Sequence, residues 1–376
     1  MAAMPALVAA AALLSVATAP PNILFVVYDD LRPQLASYGH DRMSTPHFDS
    51  LANQSLVFNR AYTNYPYCAP SRNSFMSGRM PDHAHDWNFL DSFRQKDVHS
   101  NPSPNIGATW VALPEFFKNH GWWTVGSGKL YHPNLPVDND NPRSWSENLT
   151  DYGGNSGCTC PSTPSAAHPH APMFCALPEN TSCPDVVITD TVVQQLQRWD
   201  STPSLKSKPF FVGFGIHKPH LPWGVPASFF AQYEPVESIP LAKHKNFPQG
   251  APAVAYHSCH WAAFPAQLGS NGSMSCSLNE GAGPANCTPG GTVIADTHAR
   301  QARHGYMAAV SFADSLLGRV LAQARSMDSW DNTVTLLTSD HGWQVRRLRA
   351  RHSRPDQTCS ILSNSLCVSS SAWRAQ

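Results

Sequence analysis

Residues Ile23 to Tyr28 read ILFVVY, a continuous apolar run that halts at Asp29-Asp30. A strand with one wet face alternates apolar and polar side chains, so an unbroken run predicts a strand covered on both faces, as in a parallel sheet. Three more runs share this form. Trp122 to Val125 leads into Gly126-Ser127-Gly128-Lys129 and then His132; Phe210 to Ile216 leads into His217-Lys218-Pro219-His220; Thr333 to Thr338 leads into Ser339-Asp340-His341-Gly342. Helix signals lie between them. Ser44-Thr45-Pro46 is a cap followed by proline in the first turn and opens a helix through Leu51. Leu113 to Asn119 is closed by Gly121, and Thr189 to Trp199 has apolar residues at helical spacing. His298 to Met327 carries Met307, Val310, Leu317 and Leu321 on one stripe. The alternation predicts an α/β fold with a mostly parallel central sheet and helices on both faces. Ligands bind such sheets outside the carboxyl ends of the strands, and all four polar clusters fall at that edge.

Charge excludes one class of partner. The 376 residues carry 26 Lys+Arg against 26 Asp+Glu, which is not the balance of a nucleic-acid binder working through a basic face. With 42% hydrophobic and 14% charged residues, the chain is not of the disordered class either. Its length suits one large α/β domain or two smaller ones. The 33 prolines predict long irregular connections, and residues 136–184 and 240–297 lack periodicity. Stretches of that kind inside a compact domain are functional rims or disordered insertions.

The N-terminus and the cysteines point to an oxidising compartment. Residues 6 to 14 (ALVAAAALL) precede Ala17-Thr18-Ala19, the pattern of a secretory signal peptide spanning 1–19 and cut after Ala19. The run is too short for a membrane anchor, which needs about 20 apolar residues. N-x-[ST] sequons stand at Asn53, Asn148, Asn180, Asn271 and Asn286. Cys158, Cys160, Cys175 and Cys183 crowd one stretch, as in disulfide-bonded proteins. Zinc is disfavoured there: Cys158-Thr159-Cys160 is C-x-C, and Pro161 and Pro184 restrict the backbone beside two of the thiols. A lysosomal or secreted glycoprotein is expected, with no membrane anchor after cleavage.

Asp29-Asp30 and Asp340-His341 bring three carboxylates and an imidazole to one sheet edge. Such an oxygen-rich set suits a hard divalent cation, Ca²⁺ or Mg²⁺. An Asp-Asp pair standing alone is more often a cap or a turn; its place after a buried strand favours the metal. Cys68-Ala69-Pro70-Ser71-Arg72, running on to Ser77-Gly78-Arg79, resembles the sulfatase signature C-x-P-S-R followed by [ST]-G-R. The resemblance covers roughly Pro21 to Gln344. Within that family the sequence is most similar to the iduronate-2-sulfatase branch, through Tyr28 to Arg32, Gly128 to Pro133, His217 to Pro222 and Ser339 to Gln344. Sulfatases acting on other sulfated sugars share most of these marks.

The resemblance implies an alkaline-phosphatase-like fold and hydrolysis of sulfate esters on sulfated sugars or glycosaminoglycans. It implies that Cys68 is oxidised to formylglycine by the formylglycine-generating enzyme, and that Asp29, Asp30, Asp340, His341 and residue 68 hold one Ca²⁺. One hydroxyl of the aldehyde hydrate would attack sulfur, and the second would expel sulfate from the covalent intermediate. Arg72 would fix the formylglycine. Lys129 and His132 would touch the hydrate or the sulfate, His220 would be the acid for the leaving oxygen, and His217 would join the substrate contacts.

After Gln344 the family pattern stops. A Leu-Gly-Glu-His-Gly type stretch and a sulfate-binding Lys are expected there, and an Arg-rich segment from Arg346 to Arg354 stands in their place. The domain reading is therefore a signal peptide at 1–19, a catalytic core at 20–344 and a divergent Arg/Ser-rich tail at 345–376, without the family's C-terminal antiparallel subdomain. Two alternatives stay open: an inactive truncated secreted glycoprotein, and a phosphatase or phosphodiesterase on the same superfold. The latter use a Ser or Thr nucleophile and two metals, and would need more His/Asp motifs than the sequence has.

Overall fold

The computed structural model describes residues 19–94, 106–150, 158–161, 173–241 and 296–342, and the backbone of 363–370. Nearly all of the expected signal peptide and of the loop 240–297 lies outside the described residues, as do the segment from Trp343 to Arg354 and the sequons at Asn271 and Asn286. Eight strands are described: β1 (Asn22–Tyr28), β2 (Ser55–Tyr62), β3 (Trp123–Gly128), β4 (Phe174–Leu177), β5 (Phe210–Ile216), β6 (Trp223–Pro226), β7 (Thr333–Ser339) and β8 (Ser363–Ser370). Six of them form the central sheet in the order β2-β8-β7-β1-β5-β3, while β4 and β6 pair in a small parallel sheet. The helices are α1 (Pro46–Ala52), α2 (Cys68–Ser77), α3 (Pro81–Ala84), α4 (Leu113–Asn119), α5 (Pro184–Ser201), α6 (Pro203–Lys206), α7 (Ala227–Ala231) and α8 (Asp296–Arg325).

The four strands expected from the sequence are the parallel part of the sheet, with β1 in the middle between β7 and β5. The apolar run of β1 is continuous because each of its faces is buried in a different core. Leu24, Val26 and Tyr28 pack with Phe48 of α1, Ile188 of α5 and Leu317 of α8. Phe25 and Val27 point the other way, among Met76, Phe93, Tyr131 and Phe211. Each such side chain contributes about 1.5–3 kcal/mol by leaving water. Helix α8 is tied to this arrangement by Asp314, whose carboxylate accepts the N–H groups of Phe48 (2.7 Å) and His47 (3.2 Å) at the start of α1. Burial pushes that carboxyl up to about 7 against those two hydrogen bonds.

Three boundaries differ from expectation. Strand β3 runs on to Gly128 because its glycines allow close packing. A Cβ on Gly215 would collide with the Lys129 backbone, and one on Gly128 (φ +84°) with the Gly215 carbonyl, so this bare pair sets Lys129 hard against the end of β5. Helix α5 begins at Pro184 rather than Thr189, with proline in its first turn. The stretch 136–184, expected to be irregular, contains β4 and two disulfides, Cys158–Cys183 and Cys160–Cys175.

Strands β2, β4, β6 and β8 lie in places the sequence did not indicate. Within the stretch expected to be a divergent tail, β8 runs antiparallel between β2 and β7. Its sequence SNSLCVSS carries no sustained alternation, so periodicity has nothing to detect. At the other end of the strands, Asp29 N–H donates to Ile216 O and Asp340 N–H to Tyr28 O, each at 3.1 Å. These bonds carry the ladder one residue past β1 and β7 and bring their two polar segments level.

Candidate active site

Asp29 and Asp30 leave β1 in a tight turn. Asp30 sits at φ +64°, in the left-handed region that Asp tolerates better than most side chains. Its N–H donates to Asp340 Oδ1 (3.1 Å), and the next residue, Leu31, donates to Ser339 Oγ (3.0 Å). Tyr306 of α8 closes the turn from above, its hydroxyl donating to Asp30 O (3.0 Å) and accepting from Arg32 N–H (2.9 Å). The two carboxylate segments are thus fastened to each other by backbone.

Helix α2 is buried along nearly all its length although it is rich in polar residues. Two of them have partners in the segments that follow β7 and β3. Ser71 donates to Asp340 O (2.6 Å); Arg72, fully buried, donates from Nε to Asp340 Oδ2 (2.9 Å) and also reaches Leu130 O (3.2 Å) and Lys129 O. Cys68 at the start of the helix is 6% exposed. Its Sγ lies 3.1 Å from His341 Nε2 and 3.4 Å from Asp29 Oδ1. Lys129 Nζ pairs with Asp29 Oδ2, and His341 Nδ1 stands 2.9 Å from Asp30 Oδ1.

One donor atom each from Asp29, Cys68, Asp340 and His341 lies within 4.8 Å of the others, all four buried. Asp30 stands outside this group of four and joins it through His341. Burial alone would push the Asp29 carboxyl up, but Lys129, His220, Arg72 and His341 outweigh it and hold it well below the usual carboxylate range. Asp340 goes the other way: burial and the nearby Asp29 charge raise it against the pull of Arg72. The His341 imidazole is drawn well above its ordinary value by Asp340 and Asp30, despite burial that opposes this. Three buried carboxylates crowded against one imidazole are an oxygen-rich set that fits a hard divalent cation. Burial, then Asp29, pushes the Cys68 thiol up to about 11.

The histidines expected at the site divide. His220, 21% exposed at its side chain, turns Nε2 toward Asp30 Oδ2 at 3.9 Å. Its Nδ1 donates to Leu221 O (2.6 Å), since a carbonyl can only accept, which leaves Nε2 to exchange a proton. His217 is buried on Asp185, whose Oδ1 accepts its N–H (2.8 Å) and lies 3.3 Å from its Nδ1. His132 packs its ring 4.7 Å from Phe89, and its Nδ1 is buried without a hydrogen-bond partner among the described residues. Burial, followed by the charges of Lys129 and Arg72, pulls it down to about 3, so it is a neutral ring.

Two residue groups here had no sequence signal. Asp185, in the first turn of α5, also accepts Lys218 N–H on Oδ2 (3.0 Å) and so grips the turn that carries His220. Lys218 beneath it is buried, donates to Pro222 O (2.7 Å), and is pulled down by burial to about 8. Tyr67 directly precedes Cys68, and its ring lies 4.5 Å from that of Phe89. No motif marks Asp185, Tyr67 or Phe89.

Comparison with known proteins defines the class. The sulfatase family model matches residues 21–361, and the chain belongs to the sulfatase family. Its fold is alkaline-phosphatase-like. Human iduronate 2-sulfatase is 32% identical over 337 residues, covering 86% of this chain and 55% of that one. A sulfatase of Formosa agariphila is 26% identical over 338 residues, covering 86% of this chain and 59% of that one. This chain therefore spans just over half the length of the curated relatives it matches. Among solved structures, BT4656 in complex with its substrate D-glucosamine-2-N,6-O-disulfate superimposes with a TM-score of 0.62 at 17% identity, over 94% of this chain and 71% of that one. The phosphonate monoester hydrolase of Agrobacterium radiobacter gives 0.59, also at 17%, over 93% and 68%. Both show the fold alone. Among the described residues no helix is long and apolar enough to cross a membrane.

Proposed function

We propose that this chain hydrolyses sulfate esters on sulfated sugars of the glycosaminoglycan kind, in the manner of the iduronate 2-sulfatases it resembles, with formylglycine at position 68 and Ca²⁺ held by Asp29, Asp30, Asp340, His341 and residue 68. The observation that carries this reading is the position of Cys68, buried at contact distance from Asp29 and His341 between the cations of Arg72 and Lys129. When present, the hydrated aldehyde supplies a hydroxyl nucleophile for sulfur and the ion supplies charge that neutralises sulfate oxygens. The chain's own residues then have separate tasks. Arg72 fixes the first turn of α2 to Asp340 and to the Lys129-Leu130 backbone, so position 68 cannot drift. Lys129, pinned by the Gly128–Gly215 approach, presents an ammonium beside the same atom. His220 offers Nε2 at the rim of the cluster, where a protonated imidazole can give its proton to the leaving alcohol oxygen.

The same reading places the catalytic core at 20–344 behind a secretory signal peptide and assigns the mature protein to the lysosome or the exterior. It makes the exposed Asn53, Asn148 and Asn180 glycan acceptors and the formylglycine-generating enzyme a partner in maturation. The test is peptide mass mapping across Cys68 on protein secreted from a eukaryotic host, together with sulfate release from a 2-O-sulfated uronate disaccharide. Aldehyde at position 68 with Ca²⁺-dependent release is the expected result. An unmodified thiol and no release would overturn it in favour of an inactive glycoprotein.

A further inference from the structure

Beside the charged cluster stands a neutral wall. Tyr67 immediately precedes Cys68, and its ring centroid lies 4.5 Å from that of Phe89, at an interplanar angle of 50°. Phe89 in turn lies 4.7 Å from His132, at 51°. Tyr67 and His132 are half-buried, while Phe89 is 37% exposed and its neighbours Trp87 and Leu90 are 43% and 55% exposed. Nor is the segment loosely held. Asn88 Oδ1 accepts the N–H groups of Leu90 (2.8 Å) and Asp91 (2.9 Å), while its Nδ2 donates to Asp91 Oδ2 (2.9 Å). Trp87 donates its indole N–H to Asp82 Oδ1 (2.9 Å), and Phe93 anchors the far end in the core. A rigid loop that holds aromatic faces at the surface is a preformed apolar contact.

Neutral rings on one side and a charged cluster on the other suit a ligand of the same divided character. A sulfated pyranose is one, with an anionic ester at one position and an apolar C–H face across the ring. We propose that Tyr67, Phe89 and His132 form a stacking surface for the sugar ring that bears the sulfate, setting its ester over residue 68. This rests on the sulfatase reading above and adds a subsite to it. Stacking is indifferent to charge, so this surface selects for a ring and the cluster selects for the anion.

The experiment measures binding of a sulfated uronate disaccharide and, separately, of inorganic sulfate to the full chain, its Phe89→Ala variant and its Phe89→Trp variant, by saturation-transfer NMR titration. Phe89→Ala should weaken the disaccharide about five- to tenfold, the range of an aromatic contact, and leave sulfate unchanged. Phe89→Trp should stay within about twofold of the parent protein. Equal disaccharide affinity in the parent and Phe89→Ala proteins would overturn the proposal. So would a parallel loss of disaccharide and sulfate, which would make Phe89 a prop for the anion site, and so would no disaccharide binding by the parent protein. Because the readout is binding, it separates from turnover. Phe89-dependent binding without sulfate release supports the stacking surface and sinks the hydrolase reading. Release with Phe89-independent binding does the reverse.

Discussion

The Asp29–Asp340 corner and the His217–His220 turn meet at one place in the molecule but are built on different principles. The corner hangs on strand ends. Its residues follow β1 and β7 directly, and backbone hydrogen bonds between those strands fix their spacing before any side chain is considered. The turn follows β5 but departs from the ladder at once, and a carboxylate on another element, Asp185 of α5, holds it. Strand-end chemistry inherits the precision of the sheet. Loop chemistry has to obtain it from a remote anchor, and that anchor leaves no motif.

The sharpest way to break this comparison is to remove the centre that both regions serve. Cys68→Ala should leave no sulfate release above background at any pH, with a melting temperature close to that of the parent chain, because the lost side chain is small. Next in size is His220→Ala, where loss of a general acid should lower kcat by roughly 10²–10⁴. The loss should shrink for substrates with a more acidic leaving alcohol, which need less help from a proton donor; a uniform loss across leaving groups would remove His220 from that role.

Asp185 sharpens the contrast between strand end and turn. Asp185→Ala leaves the buried N–H groups of His217 and Lys218 without their acceptor, at a cost of about 1–3 kcal/mol, and should lower kcat/KM about 10–100-fold. In a His220→Ala background the same change should add little to the loss in rate, since both act through one turn. Full additivity would show that Asp185 serves stability alone. For the corner, Ca²⁺ should raise the melting temperature by mass action, and Asp340→Asn should abolish most of that rise; a shift that survives would place the ion elsewhere.

The smallest effect belongs to neither region and separates the pH response of the fold from that of the site. Folding raises the Asp314 carboxyl to about 7. Its contribution to stability is therefore fully present below the unfolded value of about 4 and is lost as pH rises through 7. Asp314→Asn removes this titration. The melting-temperature advantage of the parent chain over the variant should be larger at pH 5 than at pH 8. An advantage that grows with pH would reverse the assignment.

How much of this was legible follows from where each signal lies. β1 and β5 could be read almost residue for residue, because burial on both faces writes itself into the chain as unbroken apolar runs. The corner was legible for the same reason, since Asp29-Asp30 and Asp340-His341 stand at the ends of such runs. Helix α2 defeats the amphipathic pattern: Ser71, Arg72, Asn73 and Ser74 are buried, and the partners of Ser71 and Arg72 at Asp340 lie about 270 positions away. Strands β2 and β8 gave no signal. Leu56, Phe58 and Tyr62 of β2 are exposed, and β8 is serine-rich without sustained alternation. His132 was placed near the nucleophile by its motif, yet what surrounds its ring is Phe89, which only the folded chain brings there.

The two disulfides are nested, Cys160–Cys175 lying inside Cys158–Cys183. A single cut of the chain anywhere between Cys160 and Cys175 would therefore leave the two pieces joined by both bridges. Asp185, two residues beyond Cys183, would keep its place at the head of α5. Such a protein would run as two fragments on a reducing gel and as one on a non-reducing gel. It would be a two-polypeptide molecule whose carboxylate corner had never come apart.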